Sequence, residues 1–99
     1  VRLTRWQEAL RRLNLKESSL RAYISSGDGF ESWLRSAKKT DLDGLIESED
    51  LETAQALVLE YVRSYLGGPP LQNRGFIGHI SRIFSASGRK LPFKELISA

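Results

Sequence analysis

The spacing of the apolar residues constrains the fold of this 99-residue chain more than any other feature. In one stretch they recur at intervals of three and four residues, which places them on one face of a helix. The members of that stripe are Leu51, Ala54, Val58, Tyr61, Val62 and Tyr65. The run Gly67-Gly68-Pro69-Pro70 then ends the helix, because these residues do not continue helical backbone. Since no stretch alternates apolar and polar residues as a strand does, the sequence predicts an all-α fold.

The same spacing predicts a compact bundle of four helices plus a short fifth at the C-terminus. The first four are expected at about residues 3–13, 18–37, 51–66 and 72–87, and the last begins after Pro92. Ser18 or Ser19 is the expected N-cap of the second helix, whereas Asn14 closes the first. Gly27 and Gly29 predict a kink in the second helix or its division in two. Residues 38–50 are predicted to be a polar loop with room for one helical turn.

The charges are distributed unevenly along the chain. Residues 1–40 carry nine basic and four acidic groups, for a net charge of +5. Residues 41–66 have a net charge of −6, and residues 67–99 have a net charge of +4. This distribution predicts one face that meets a polyanion and another that is turned away from it. A solvated surface of mixed charge is the alternative interpretation.

Composition excludes several classes of protein and of binding site. The chain has no cysteine, which excludes disulfides and thiolate metal sites, and it has no apolar run of membrane-spanning length. Its first residues lack the apolar block of a signal peptide, so a cytoplasmic protein is expected. One hydrophobic core is what a chain of this size can build, and residues 1–99 are expected to form one domain. Because it begins at Val1, the chain is interpreted as a piece of a longer protein.

The sequence contains only weak candidates for a catalytic site. His79 is the single histidine and has no partners with metal-ligand spacing. Gly27-Asp28-Gly29 lacks the lysine and the preceding strand of a phosphate-binding loop. Gly75 and Gly78 fit either close helix packing or close approach of the backbone to a phosphate. We therefore expect a non-catalytic domain with no cofactor, no metal and no small-molecule substrate.

The fourth predicted helix carries the polar groups most suited to a nucleic acid. Gln72, Asn73 and Arg74 fall in its first turn, and His79 and Arg82 follow. A helix start with amide and guanidinium side chains suits phosphate positioning and reading of base edges. An ordinary polar surface with helix caps is the alternative for this helix alone.

Taken in order along the chain, these patterns resemble a known family. Five stretches contribute: Trp6-Gln7-Glu8-Ala9-Leu10, Leu15 to Tyr23 followed by Trp33-Leu34, Ala56 to Leu66, Phe76 to Phe84, and Pro92. Together they resemble the N-terminal core-binding domain of tyrosine recombinases, the family of the phage integrases and Xer-type recombinases. The resemblance implies a SAM-like helical fold. It also implies that a separate catalytic domain closes a clamp around DNA and that other protomers share the recombination site, with the protein associated with the nucleoid.

The resemblance further implies which residues face duplex DNA. Two helices contribute them, and the implied residues are Lys16, Ser18, Ser19, Arg21, Ser25, Gln72, Asn73, Arg74, His79 and Arg82. Tyr23, Tyr61 and Tyr65 lie on predicted buried stripes and are not expected to act as nucleophiles. The alternative function is a helical protein-interaction module whose opposed basic and acidic faces associate head to tail.

Overall fold

The computed structural model describes residues 4–98, and every regular element in that range is helical. The six α-helices are α1 (Arg5–Arg11), α2 (Glu17–Trp33), α3 (Leu42–Glu47), α4 (Leu51–Tyr61), α5 (Arg74–Ala86) and α6 (Phe93–Ser98). α2 and α4 each continue into a π-helical turn, Leu34–Lys38 and Val62–Leu66, and a 3-10 turn, Pro70–Asn73, precedes α5. The radius of gyration is 12.5 Å, as expected for a compact chain of this length. The predicted all-α class is confirmed.

The prediction of four helices and a short fifth is wrong in number, because α3 forms inside the segment predicted to be a loop. Asp41 precedes α3 and accepts a hydrogen bond from the Gly44 backbone N–H at 2.7 Å. Leu42, Leu45 and Ile46 are buried on its inner face. A helix of six residues is too short to produce a repeating pattern, so three apolar residues gave too weak a signal.

The first helix is shorter than predicted. Its expected start at Leu3 lies outside the described residues. It ends at Arg11, which leaves Leu13 37% exposed although the pattern placed it on the buried face. Asn14 has a φ of 54°, in the left-handed region that asparagine tolerates, and it turns the chain toward α2.

α2 differs from its prediction in two respects. Its N-cap is Lys16, so Ser18 and Ser19 lie within the first helical turn instead of capping it. The helix also continues through Gly27 and Gly29, so the predicted division into two helices is wrong. Gly27 is instead the point of closest packing, because an added Cβ would stand 2.5 Å from Trp6 Cη2 and 2.9 Å from Ile83 Cδ1.

The hydrophobic core lies where α1, α2 and α5 pack together, and α3, α4 and α6 close it from the sides. Its largest fully buried side chains are Trp6, Leu10, Phe30, Leu34, Leu42, Ile77, Ile80, Ile83, Phe84 and Leu96. One buried carboxylate crosses this core. Glu31 of α2 accepts hydrogen bonds from Trp6 Nε1 at 3.3 Å and from the Leu42 backbone N–H at 3.1 Å. It therefore connects α1, α2 and the start of α3.

Several carboxylates of the acidic segment act as helix caps. Asp43 accepts hydrogen bonds from the backbone N–H groups of Arg5 and Trp6, at 3.1 and 2.9 Å, and so caps α1 from α3. Asp50 accepts from the Thr53 hydroxyl and backbone N–H, which hold the pKa of this carboxyl below its usual range. Negative charge at a helix start also complements the helix dipole. Much of the acidic charge therefore has a role in folding.

Candidate nucleic-acid interface

The two helices expected to face DNA lie against each other. Ser26 of α2 and His79 of α5 are joined by a hydrogen bond of 2.7 Å between Oγ and Nδ1. The rings of Tyr23 and His79 meet edge to face, with their centroids 5.0 Å apart. The structure therefore brings together residues that are more than fifty positions apart in the sequence.

Small and polar side chains border this contact. On α5, Gly75, His79 and Arg82 follow intervals of four and three residues and so share one side of the helix. On α2 the corresponding flank holds Ser18, Ser19, Ala22, Ser25 and Ser26. We refer to these eight residues together as the α2–α5 face. All are exposed or half-buried, so the flanks of both helices are accessible to a ligand.

On the α5 side of this face the charge is of one sign. No Asp or Glu occurs between Glu60 and Glu95, so α5 carries no carboxylate. The basic residues in that interval are Arg63, Arg74, Arg82, Arg89, Lys90 and Lys94. Arg74, Arg82 and Lys16 are exposed, and within residues 4–98 none of the three makes an ion pair. These three cations are therefore available to an anionic ligand.

The remaining predicted residues have varied environments. Arg21 pairs with Glu17 at 2.8 Å, and because both side chains are exposed the pair is weak. Gln72 and Asn73 lie in the 3-10 turn before α5 and not in its first α-helical turn as predicted. Asn73 Nδ2 donates to the carbonyl oxygens of Gly67 and Pro69, at 3.1 and 3.2 Å. Its amide N–H groups therefore brace the preceding turn, whereas Gln72 is exposed.

His79 is half-buried, and this burial lowers its pKa below the usual 6.5. The imidazole is accordingly neutral at pH 7 and serves as a hydrogen-bonding group, not as a cation. A Ser–His hydrogen bond is one part of a nucleophile–base arrangement. Within residues 4–98, however, no carboxylate hydrogen-bonds His79 to orient it. The same range contains no group of three His, Cys, Asp or Glu side chains placed to hold a metal ion.

The two glycines of α5 differ in their surroundings. A Cβ added at Gly75 would meet nothing within 4 Å, whereas one at Gly78 would lie 3.7 Å from the Phe93 ring, an ordinary contact. Close packing, one of the two sequence interpretations, therefore does not account for Gly75. What distinguishes this position is an exposed backbone on the α2–α5 face.

Tyr65 is a residue that the sequence interpretation placed wrongly. It was expected on the buried stripe of the third predicted helix, yet it is 67% exposed. The cause is the π-helical turn Val62–Leu66, which changes the residues-per-turn count after Tyr61. Tyr61 is buried, and both burial and the neighbouring Tyr65 raise its pKa. Tyr23, by contrast, is half-buried against the core, in keeping with its predicted stripe.

Residues 4–98 contain no helix that is both long and apolar enough to cross a membrane. A scan against protein-family models, a search of curated proteins and a search of solved structures found no match to this chain.

Proposed function

We propose that this chain is a DNA-binding domain that holds duplex DNA against the α2–α5 face, in the manner of the core-binding domain of a tyrosine recombinase. A separate domain would then carry out the strand exchange. The observation that supports DNA binding is the acid-free interval from Tyr61 to Lys94, in which Arg74 and Arg82 are exposed without an ion pair. Cations of this kind form the electrostatic footprint of nucleic-acid binding.

The cations, the serines and Gly75 have distinct roles in this proposal. Lys16, Arg21, Arg74 and Arg82 contact phosphates, and the serine hydroxyls of α2 donate to phosphate oxygens between them. Arg21 exchanges its exposed pairing with Glu17 for a phosphate, at small cost. Gly75 allows a DNA strand to approach the α5 backbone without a side chain in the way.

The acidic segment supports the same orientation. Asp41, Asp43 and Asp50 accept backbone hydrogen bonds at helix starts, and Glu47 pairs with Arg5. Because carboxylates repel phosphates, the proposal places the edge of the molecule formed by α1 and α3 away from DNA.

A titration of labelled duplex DNA at several salt concentrations tests the proposal. Each phosphate contact contributes about −0.9 to the slope of log affinity against log salt, so four contacts predict a slope near −3.6. Affinity should fall roughly a hundredfold between about 50 and 200 mM salt. Arg74→Ala and Arg82→Ala should each reduce the magnitude of the slope by about 0.9.

Arg5→Ala is the matched control, because it removes the same charge from the edge near α3, where Arg5 pairs with Glu47. It should leave the slope nearly unchanged. Equal effects of all three variants would show that net charge, and not this face, governs binding. Salt-dependent self-association in size-exclusion chromatography, with no shift when DNA is added, would favour the protein-interaction module instead.

A further inference from the structure

An uncharged cleft opens where the C-terminal ends of α2 and α4 meet. It has a volume of about 300 Å³ and is lined by Gly29, Ser32, Trp33, Ser36 and Tyr65. This volume is at the small end of the pockets that proteins use for small planar ligands, roughly 300–1,000 Å³. The cleft therefore has room for a single ring system.

Aromatic rings form its walls and hold one another in place. Tyr65 stacks on the buried Tyr61 with centroids 4.9 Å apart and an angle of 14° between the planes. Trp33 meets the same Tyr61 ring edge to face at 5.4 Å. Tyr65 thus presents an exposed ring whose inner side is already supported. Such pre-ordered rings lose little conformational freedom when a ligand stacks on them.

Hydroxyl groups complete the lining. Ser36 Oγ donates to the carbonyl oxygens of Ser32 and Trp33, which leaves the lone pairs of its own oxygen free to accept from a ligand edge. None of the lining residues is charged. Aromatic walls with hydroxyl edges match a nucleobase, which has flat apolar faces and a rim of donors and acceptors.

The position of the cleft favours a nucleic-acid occupant over a second protein. Gly29, Ser32 and Ser36 continue the uncharged flank of α2 that begins at Ser18 and Ser25, at intervals that keep one side of a helix. On the other side, Tyr65 belongs to the acid-free interval of the chain. Beside the cleft, Lys38 Nζ lies 5.7 Å from the centroid of the Trp33 ring and pairs with Glu60 at 2.8 Å, so these two charges balance. A DNA strand lying along the α2–α5 face therefore reaches the cleft along the uncharged flank of α2.

We infer that the Trp33–Tyr65 cleft is a base-binding site, which takes one unpaired nucleobase from DNA held on the α2–α5 face. The base stacks against Tyr65, and the serine hydroxyls meet its edge. This inference rests on the proposed function, because the cations of the face supply the attraction for the phosphates. It adds a preference for DNA with an unpaired base, a property that phosphate contacts alone do not provide.

The experiment compares two probes with the full chain: a fully paired duplex, and the same duplex with one bulged 2-aminopurine. Stacking on an aromatic side chain strengthens binding about tenfold or more, so the bulged probe should bind tighter by that factor. The fluorescence of the 2-aminopurine should change on binding. Tyr65→Ala should remove both the preference and the fluorescence change, and it should leave affinity for the paired duplex within about twofold.

Two further variants sharpen the result. Tyr65→Phe keeps the ring and should keep the preference, whereas Leu71→Ala removes another exposed apolar group, 58% exposed and outside the cleft, and should change neither probe. Equal binding of the two probes by the unmodified chain would overturn the base site while leaving duplex binding intact. No binding of either probe would overturn the proposed function itself. Dimers that Tyr65→Ala converts to monomers would identify the cleft as a contact between copies and overturn the inference.

Discussion

The indole ring of Trp6 lies directly against Gly27, so closely that a Cβ at Gly27 would stand 2.5 Å from Cη2 and 2.6 Å from Cζ3 of the ring. Trp6 is fully buried, and its Nε1 is fixed by the Glu31 carboxylate. A Cβ at Gly27 would therefore require the ring or the α2 backbone to shift. This contact sets the distance between α1 and α2, and glycine is the residue that permits it.

Gly27→Ala is expected to destabilise the fold. Overpacking of a core costs about 1–3 kcal/mol, and the better helix propensity of alanine returns at most about 1 kcal/mol. The net loss should be about 1–2 kcal/mol, measured by urea denaturation followed by circular dichroism. An unchanged midpoint would mean that Trp6 can shift without cost.

Gly75→Ala should have the opposite effect on stability. Its Cβ enters open space near the start of α5, so the free energy of unfolding should rise by about 0.5 kcal/mol. At the same time the methyl group stands on the α2–α5 face and should weaken duplex binding. Gly78→Ala, which points toward Phe93, is the control for binding. Unaltered affinity in Gly75→Ala would contradict close approach of DNA to this backbone.

Helical periodicity was enough to locate α1, α2, α4 and α5, because each of these helices repeats its apolar stripe over about two turns or more. The six-residue α6 was located from Pro92, which suits the start of a helix. Periodicity indicated room for only one helical turn where α3 forms, because the three apolar residues of α3 make less than two turns, and it misplaced Tyr65, because a π-helical turn does not follow the regular repeat. The division of α2 into two helices, one of the two expectations, is wrong for a different reason. Gly27 weakens a helix when considered alone, and only the contact with Trp6 explains its presence.

The individual residues of the candidate site could be predicted from the sequence, but their arrangement in space could not. Arg74, Arg82 and the serines of α2 could be selected by residue type and helical position. The Ser26–His79 hydrogen bond could not, since it depends on the crossing of two helices distant in sequence. The caps formed by Asp41 and Asp50 had a readable signal, an aspartate directly before an apolar run, whereas Asp43 caps a helix remote in sequence.

Substitutions of Glu31 test how much its buried hydrogen bonds to Trp6 and Leu42 stabilise the fold. Glu31→Ala leaves Trp6 Nε1 and the Leu42 N–H without an acceptor inside the core, and the expected loss is about 2–3 kcal/mol. Glu31→Gln keeps one carbonyl oxygen and should lose less than about half of that. Thermal denaturation of the two variants provides the comparison. Equal losses would show that the charge beside Arg35, and not the hydrogen bonds, is what matters.

Asp43→Ala removes the cap that α3 provides for α1. Loss of an N-terminal cap costs about 0.5–2 kcal/mol, and this one also fixes the position of α3. Glu49→Ala is the matched control, because it removes an exposed acid from the same segment. Chemical denaturation should separate the two variants by about 1 kcal/mol. Similar stabilities would mean that water replaces the cap without cost.

Protonation of His79 should contribute to the pH dependence of the protein's stability. Burial depresses the folded-state pKa below 6.5, so between the two values the unfolded chain binds more protons than the folded one. Stability contributed by this group is therefore present above pH 6.5 and is lost as the pH falls through the folded-state pKa. Denaturation midpoints measured at several pH values should show this decline, and His79→Gln should abolish it. A decline that persists in the variant would have to come from carboxylates.

Because several carboxylates cap helices, substitution of acidic residues should affect the stability of the fold more than substitution of the exposed basic residues. Acids such as Asp43 and Asp50 are tied to folding, whereas Lys16, Arg74 and Arg82 make no ion pair within residues 4–98. The exposed cations can thus be exchanged, moved or multiplied with little effect on the scaffold. The residues proposed to bind DNA are therefore different from those that hold the fold together, so successive substitutions could retune the proposed affinity while the stability of the fold remains constant.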